Sequence, residues 1–189
     1  IARFLELQRL AERNGEPQRA TAMTLATATP DGLPSARMVL LKGADQRGFV
    51  FYTNYGSRKA AELDANSGAA LVFYWPTLAK QIRIEGTSSR VSATEADEYF
   101  GTRPRHSQLG AWASRQSDIL PGRRELIVAY LTEKMRWLGQ RIPRPTFWGG
   151  YRLNPSRIEF WESRLGRLHD RTVFERTEDG SWRREMLYP

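Results

Sequence analysis

The pattern of apolar and polar positions changes period several times along this chain. Over residues 2–14, Phe4, Leu5, Leu7, Leu10 and Ala11 recur at helical spacing, which predicts a helix stopped by Gly15 and Pro17. From residue 21 the period shortens to two. Residues 21–42 read as two strands joined at Pro30-Asp31-Gly32, and residues 48–54 as a third strand after the turn GADQRG. A short helical pattern covers 57–66, and strands return at 69–75 and 80–91. In the last of these, Gln81, Arg83 and Glu85 share one face, and Ile82 and Ile84 the other. Ser92 and Glu95 form a capping box for a helix that Pro104 ends near Arg103. A polar loop or short helix over 105–118 and a long helix over 122–141 follow. Strands are predicted at 147–153, 157–162 and 169–176, with a last one over 182–187 closing a hairpin through Glu178-Asp179-Gly180.

Many short strands with hairpin turns and few βαβ alternations predict a mainly β protein with added helices (α+β), built on an antiparallel β-barrel. The length of 189 residues suits one domain. Within it, 1–15 form an N-terminal helix, 20–91 the core strands, 92–141 a helical segment and 147–189 the C-terminal strands. There are no internal repeats or low-complexity segments.

Composition narrows the class. A 40% hydrophobic content with six Trp, seven Tyr and eight Phe can build a core, which excludes a disordered chain. The absence of cysteine excludes a disulfide framework, Cys-based metal sites and Cys nucleophiles, and fits a cytoplasmic protein. No apolar run approaches the ~18 residues of a membrane span, and no signal peptide is visible. The chain begins at Ile1 rather than Met, so a preceding segment is expected. The 29 Lys and Arg against 21 Asp and Glu give a net charge of +8, which points to a polyanion or to small phosphorylated ligands.

The distribution of the cations favours the small ligands. Ser57 reads as an N-cap, which puts Arg58 and Lys59 in a first helical turn where cations oppose the helix dipole by ~0.3–1 kcal/mol each. An anion at the helix start explains this; two solvated side chains fit the same pattern. Tyr99, Arg103 and Ser107 are spaced i, i+4, i+8, so a phenol, a guanidinium and a hydroxyl converge if the helix persists; an ordinary helix end fits as well. Arg37, Val39 and Leu41 share one strand face, with Met38, Leu40 and Lys42 on the other and Lys42 at the strand end. Arg115, Gln116 and Ser117 add donors. Small, separated clusters suit discrete phosphate pockets better than a nucleic-acid stripe. No metal site and no obligatory side-chain nucleophile stands out. One further stretch, GRLHDR (166–171), holds one of only two histidines; on an extended strand Arg167, His169 and Arg171 would face one way.

Together RMVLLK, FYTNYGSRKA, KQIRIEG, YFGTRPRHSQLGAWASRQS, FWGGYRL, IEFW and RLHDR, in this order and spacing, resemble the pyridoxine/pyridoxamine 5′-phosphate oxidase family from about residue 20 to 189. The resemblance implies an antiparallel split β-barrel, homodimeric, with FMN at the subunit interface. It also implies oxidation of pyridoxine or pyridoxamine 5′-phosphate to pyridoxal 5′-phosphate, with hydride passing to the flavin, O2 as electron acceptor and H2O2 released. By the resemblance, Arg37, Met38, Val39, Leu40, Leu41, Lys42, Tyr52, Thr53, Arg58, Lys59, Gln81, Gln116, Ser117, Trp161 and Arg171 contact FMN. Lys42, Tyr99, Arg103, Ser107, Arg167 and His169 contact substrate, with Arg167 and His169 at the reacting end for positioning and electrostatics rather than obligatory proton transfer. The chain departs from the family at ESRLG (162–166), where Arg164 and Leu165 replace small or polar residues after Trp161. A related branch acts on phenazine precursors and tends to lose the substrate-phosphate residues; this chain keeps Tyr99, Arg103 and Ser107. No nucleic acid or membrane partner is expected, a non-enzymatic flavin or nucleic-acid binding module being the remote alternative.

Overall fold

The computed structural model describes residues 1–14 and 17–189. Helix α1 (Ala2–Arg13) matches its predicted span, and the side chain and N–H of Asn14 close it on the Leu10 carbonyl; the predicted stop at Gly15 lies outside the described residues. A short helix α2 (Pro17–Ala20) leads into β1 (Ala22–Ala28) and β2 (Pro34–Leu40), joined as predicted through Gly32, whose positive φ of 87° suits a residue without a Cβ. The GADQRG stretch is more than a turn: β3 (Gly43–Asp45) pairs with β4 (Gly48–Asn54), because residues 43–45 can continue the ladder before the chain reverses. Helix α3 (Arg58–Ala65), β5 (Gly68–Trp75), β6 (Lys80–Arg90), α4 (Ala93–Thr102), α5 (Arg105–Ala113) and α6 (Arg123–Arg136) follow. Helix α6 stops short of the predicted 141; turns over 137–140 and Gly139 at φ 70° end it.

The C-terminal strands depart from expectation in a consequential way. Residues 147–153 and 157–162 are not two strands but one, β7 (Trp148–Glu162). The Asn154-Pro155-Ser156 stretch looked like a break, yet the ladder to β6 runs on past it through a register shift at Glu85/Gly86. Gly86 is required there: a Cβ would meet the Asn154 carbonyl oxygen at 2.1 Å. One edge of β7 follows β6, while the other pairs first with β4 over 148–153 and then with β8 (Asp170–Arg176) over 157–162. β9 (Trp182–Met186) pairs with β8. The sheet order is β2-β1-β5-β6-β7-β4-β3, with β8 and β9 branching from β7, so this antiparallel α+β sheet is split where β7 bends.

Alternation sends Ile82 and Ile84 inward with Met23, Leu25, Leu71 and Phe73. Helix α1 plugs this core with Phe4, whose ring meets Phe49 edge-on at 5.0 Å and Phe73 at 4.8 Å. No helix among the described residues is long and apolar enough to cross a membrane. Replacing the fully buried Phe4 by Ala should lower the unfolding free energy by about 3–5 kcal/mol in a urea titration; an unchanged midpoint would show that α1 is not part of the barrel core.

Candidate active site

The C-terminal end of β2, the middle of β4 and the α4–α5 junction meet around a cavity of about 500 Å³. Its lining combines Lys42, Lys59, Arg103, Ser107, Ser114 and Gln116 with the apolar Met38, Val39, Leu40 and Trp148; Tyr52, Thr53 and Tyr99 also face it. None of its lining residues is acidic. The chemistry on offer is therefore that of an anion site with aromatic and aliphatic walls.

Arg103 and Lys59 are held by identifiable neighbours. Helix α4 ends at Thr102 and α5 begins at Arg105, so Tyr99, Arg103 and Ser107 do not share one helix face as their spacing suggested. Pro104 breaks the helix, and the bend still delivers all three to the same cavity. Arg103 lies over the Trp148 ring at 4.5 Å, and its buried Nη1 has no hydrogen-bond partner. Burial pushes its pKa below the usual guanidinium value, with Tyr99 opposing. Such an orphaned donor facing a cavity without carboxylates fits an anionic ligand. Tyr52 stacks on Tyr99 at 3.9 Å and on Trp148 at 5.4 Å, and burial pushes its phenol up to about 12. The close approach needs Gly150, since a Cβ there would sit 2.8 Å from the Tyr52 ring.

Lys59 is not a solvated side chain, whereas Arg58 is tied to Glu62 through Nε yet stays 62% exposed. Lys59 Nζ donates to Gln116 Oε1 at 2.9 Å, Thr53 Oγ1 at 3.2 Å and Ser57 Oγ at 3.3 Å, and burial lowers its pKa, followed by Arg37. Ser57 stands at the N-cap position, but its hydroxyl makes no cap hydrogen bond and receives Lys59 instead. The Arg58 N–H donates to Ser117 Oγ, and Ser117 adopts a positive φ of 77°. Behind this wall, Arg37 and Arg58 both reach the buried Glu62 carboxylate, at 3.1 Å and 2.8 Å. Leu41 faces the core at 4% exposure, so only its main chain is available to a ligand.

The remaining expected site residues lie elsewhere. Gln81, Trp161 and Arg171 form a cross-strand row over β6, β7 and β8. Gln81 and Trp161 line a second cavity of about 260 Å³ that shares no residue with the first. Arg171 is turned to Glu159, donating to Oε1 at 2.8 Å, and to the Tyr188 carbonyl.

GRLHDR is not an extended strand, so Arg167, His169 and Arg171 do not line up on one face. Leu165–Arg167 form a 3-10 turn, with Gly166 at φ 68° and Arg167 at φ 63°; consecutive left-handed residues reverse the alternation that strand geometry would impose. Arg167 is exposed in that turn, His169 packs against the Trp161 ring at 4.6 Å, and β8 begins only at Asp170. The Arg164 N–H donates to His169 Nδ1 at 3.2 Å, so a neutral ring carries its proton on Nε2. The ESRLG departure is tied into the same knot, because Arg164 Nε donates to Asp170 at 2.6 Å and its guanidinium pairs with Glu162 at 3.2 Å. Residues that the sequence reading did not single out are Trp148, Asn54, Gly110, Ala111, Ser114 and Glu62. The paired glycines after Trp148 were the available signal for its neighbourhood.

The antiparallel split barrel thus carries one cationic cavity, a chemistry suited to anionic ligands, and apart from it the Gln81–Trp161–Arg171 row. The pyridoxamine 5′-phosphate oxidase family matches residues 11–135, and the pyridoxine 5′-phosphate oxidase C-terminal dimerisation region matches 148–189. The chain belongs to this family. It is 60% identical over 168 residues to the pyridoxine/pyridoxamine 5′-phosphate oxidase of Rubrobacter xylanophilus, a match covering 89% of this chain and 77% of the relative. With the enzyme of the same name from Anaeromyxobacter dehalogenans it shares 54% identity over 190 residues, covering 100% and 94%. The crystal structure of PhzG from Burkholderia lata in complex with tetrahydrophenazine-1-carboxylic acid superposes with a TM-score of 0.89 at 33% identity, covering 98% of this chain and 91% of that one. An FMN binding protein from Nostoc punctiforme shares the fold, with a TM-score of 0.76 at 17% identity and coverage of 98% and 95%.

Acid titration tests the buried carboxylate behind the cavity. Despite burial, hydrogen bonds from Ser35, Thr27, Arg58 and Arg37 hold Glu62 down to about 2, against an ordinary value of 4.5. A depressed folded-state pKa stabilises above the unfolded value and loses that contribution as pH falls through the folded one. The stability advantage of wild type over Glu62→Gln should therefore be full above pH 4.5 and vanish towards pH 2. A pH-independent difference in urea unfolding would contradict the ionised, paired carboxylate.

Proposed function

We propose that this chain is an FMN-dependent oxidoreductase that converts pyridoxine 5′-phosphate or pyridoxamine 5′-phosphate to pyridoxal 5′-phosphate. Two electrons and two protons leave the substrate and reduce O2 to H2O2; the amine substrate also takes up water and releases ammonia. The observation that carries the reading is Arg103: a half-buried guanidinium with one buried, unpartnered nitrogen, beside Tyr99 and Ser107, lining a cavity with no carboxylate. That is a seat for the phosphate of a small aromatic substrate stacked near Tyr52, Tyr99 and Trp148. A second anion seat, for the flavin phosphate, is formed by Arg37, Arg58 and Lys59, with Thr53, Gln116 and Ser117 supplying neutral donors. Two separate seats account for two phosphorylated ligands.

Bound FMN supplies the two-electron redox chemistry. The protein's own residues bind, orient and exclude water. Lys42, exposed where β2 ends, reaches into the cavity between the two seats. The protein works as a homodimer with FMN. Gln81, Trp161 and Arg171 lie outside the first cavity, and Trp161 and Arg171 lie within the dimerisation region, so a second copy supplies them to the flavin. His169 and Arg167 come with that row and meet the reacting end of the substrate. In this role His169 donates from Nε2, the nitrogen that the Arg164 N–H leaves protonated.

A phenazine-type substrate is the second reading, favoured by the close superposition of PhzG. The retained Tyr99, Arg103 and Ser107 weigh against it. A substrate panel read by flavin bleaching decides between the two. Turnover of a B6 phosphate is expected, and an FMN-loaded protein inert towards both B6 phosphates would overturn the proposal. Arg103→Ala should raise KM for the phosphorylated substrate by about 10–100-fold, as expected for losing a charge-assisted pair, with FMN retained. His169→Ala should lower kcat and leave FMN bound; loss of FMN would mean His169 serves the cofactor.

A further inference from the structure

Two features of helix α3 are unfavourable on local grounds. Arg58 and Lys59 stand at the positive end of the helix dipole. The Arg58–Glu62 pair has the basic residue on the N-terminal side, the weaker order for an i, i+4 pair. Glu62 is moreover buried at 4% exposure and gives up its own hydration to make the pair, while Arg58 stays largely in water, so the pair adds little net stability. Stability alone does not explain this carboxylate.

Its contacts suggest a different purpose. Oε2 accepts from Thr27 Oγ1 at 2.5 Å, Ser35 Oγ at 2.7 Å and Arg37 Nη2 at 3.1 Å, while Oε1 accepts from Arg58 Nε at 2.8 Å. Glu62 thus joins β1, β2 and α3 and brings together two arginines from separate elements. It takes Arg58 by Nε alone. Among the described residues the two terminal amino groups of Arg58 have no hydrogen-bond or ion-pair partner, so its fork is left free. Arg37 is fixed more fully, with Nη1 on Thr27 and Nη2 on Ser35 as well as Glu62. Three cations, Arg37, Arg58 and Lys59, are neighbours that repel one another: Arg37 and Arg58 share Glu62, and Arg37 also acts on Lys59. One buried carboxylate offsets one of these charges and leaves two, which matches a phosphate monoester near neutral pH.

We propose that Glu62 is a positioning residue that pre-organises Arg37 and Arg58 for the cofactor's phosphate, and so sets the preference for the phosphorylated flavin over riboflavin. It touches neither substrate nor flavin; it acts through the two guanidiniums. The inference rests on the FMN reading above and concerns only how this chain builds the phosphate seat.

The test is a titration of the apo-protein with FMN and, separately, with riboflavin, followed by quenching of flavin fluorescence. Wild type should bind FMN much more tightly than riboflavin; equal affinities would overturn the FMN reading itself. In Glu62→Gln the FMN-over-riboflavin preference should fall about tenfold or more, as for loss of aligned charge-assisted bonds, while riboflavin affinity stays unchanged. A merely structural role would weaken both flavins alike and leave the ratio intact, which would overturn the inference. Tighter FMN binding would also overturn it, showing that Glu62 competes with the phosphate for the arginines. Should Glu62→Gln fail to fold, Ser35→Ala decides: it keeps the carboxylate and removes one of its anchors. A fall of at least about threefold in the same ratio is expected, because Ser35 Oγ both donates to Glu62 and accepts from Arg37, and an unchanged ratio would contradict the proposal.

Discussion

The bend in β7 governs where everything else sits. Pro155 has no N–H to donate, and the ladder to β6 shifts register at Glu85/Gly86 rather than ending. A single strand therefore keeps one neighbour along one edge and exchanges β4 for β8 along the other. The N-terminal half of β7 brings Trp148 and the two glycines against Tyr52 and Tyr55, forming the wall of the cationic cavity. Its C-terminal half carries Trp161 between Gln81 and Arg171. Trp148 and Trp161 are thirteen residues apart, roughly 40 Å of extended strand. Under the proposed function each chain offers two half-sites at separate ends of one strand, and a second copy of this chain completes either.

Electrostatics follows the same division. The net charge of +8 is not an open basic stripe. Buried carboxylates collect the arginines on each half: Glu62 holds Arg37 and Arg58, and Glu159 holds Arg171 with Arg83 and Arg157 nearby. Both carboxyl groups are held below the ordinary range despite burial, because hydrogen bonds and nearby guanidiniums outweigh desolvation. The exposed pairs, such as Arg183–Glu175, contribute little by comparison. The cavity itself is left without a carboxylate in its lining.

Much of this was legible in the sequence. Period-two alternation located β1, β2, β4, β5 and β6, and the spacing of Phe4 and Ala11 located α1. Ser92 does cap α4, accepting from the Glu95 N–H at 3.1 Å, although the Glu95 carboxylate turns to Arg152 rather than completing the box. Tyr99, Arg103, Ser107, Lys42, Lys59 and Gln116 were named from the chain and meet in one cavity. What was hidden depended on long-range pairing. Asn154-Pro155-Ser156 carries the local signature of a turn, and only the β6 ladder carries the strand across it. GRLHDR alternates on paper, but Gly166 permits a left-handed turn that alternation does not register. Glu62 looks like any helix carboxylate until β1 and β2 bring Thr27, Ser35 and Arg37 over it.

The central claim is that each complete site draws on two chains, and a hybrid dimer tests it directly. Arg103→Ala damages the cationic cavity and Trp161→Ala the Gln81–Trp161–Arg171 row, so each homodimer should be nearly inactive at a substrate concentration near the wild-type KM or below. Co-expressed under different tags and purified through both, a hybrid of the two concentrates both defects in one site and leaves the other intact. Recovery of about half the wild-type activity per dimer is expected, as two-fold symmetry requires. Activity no higher than that of the parent variants would show that each site is built from a single chain.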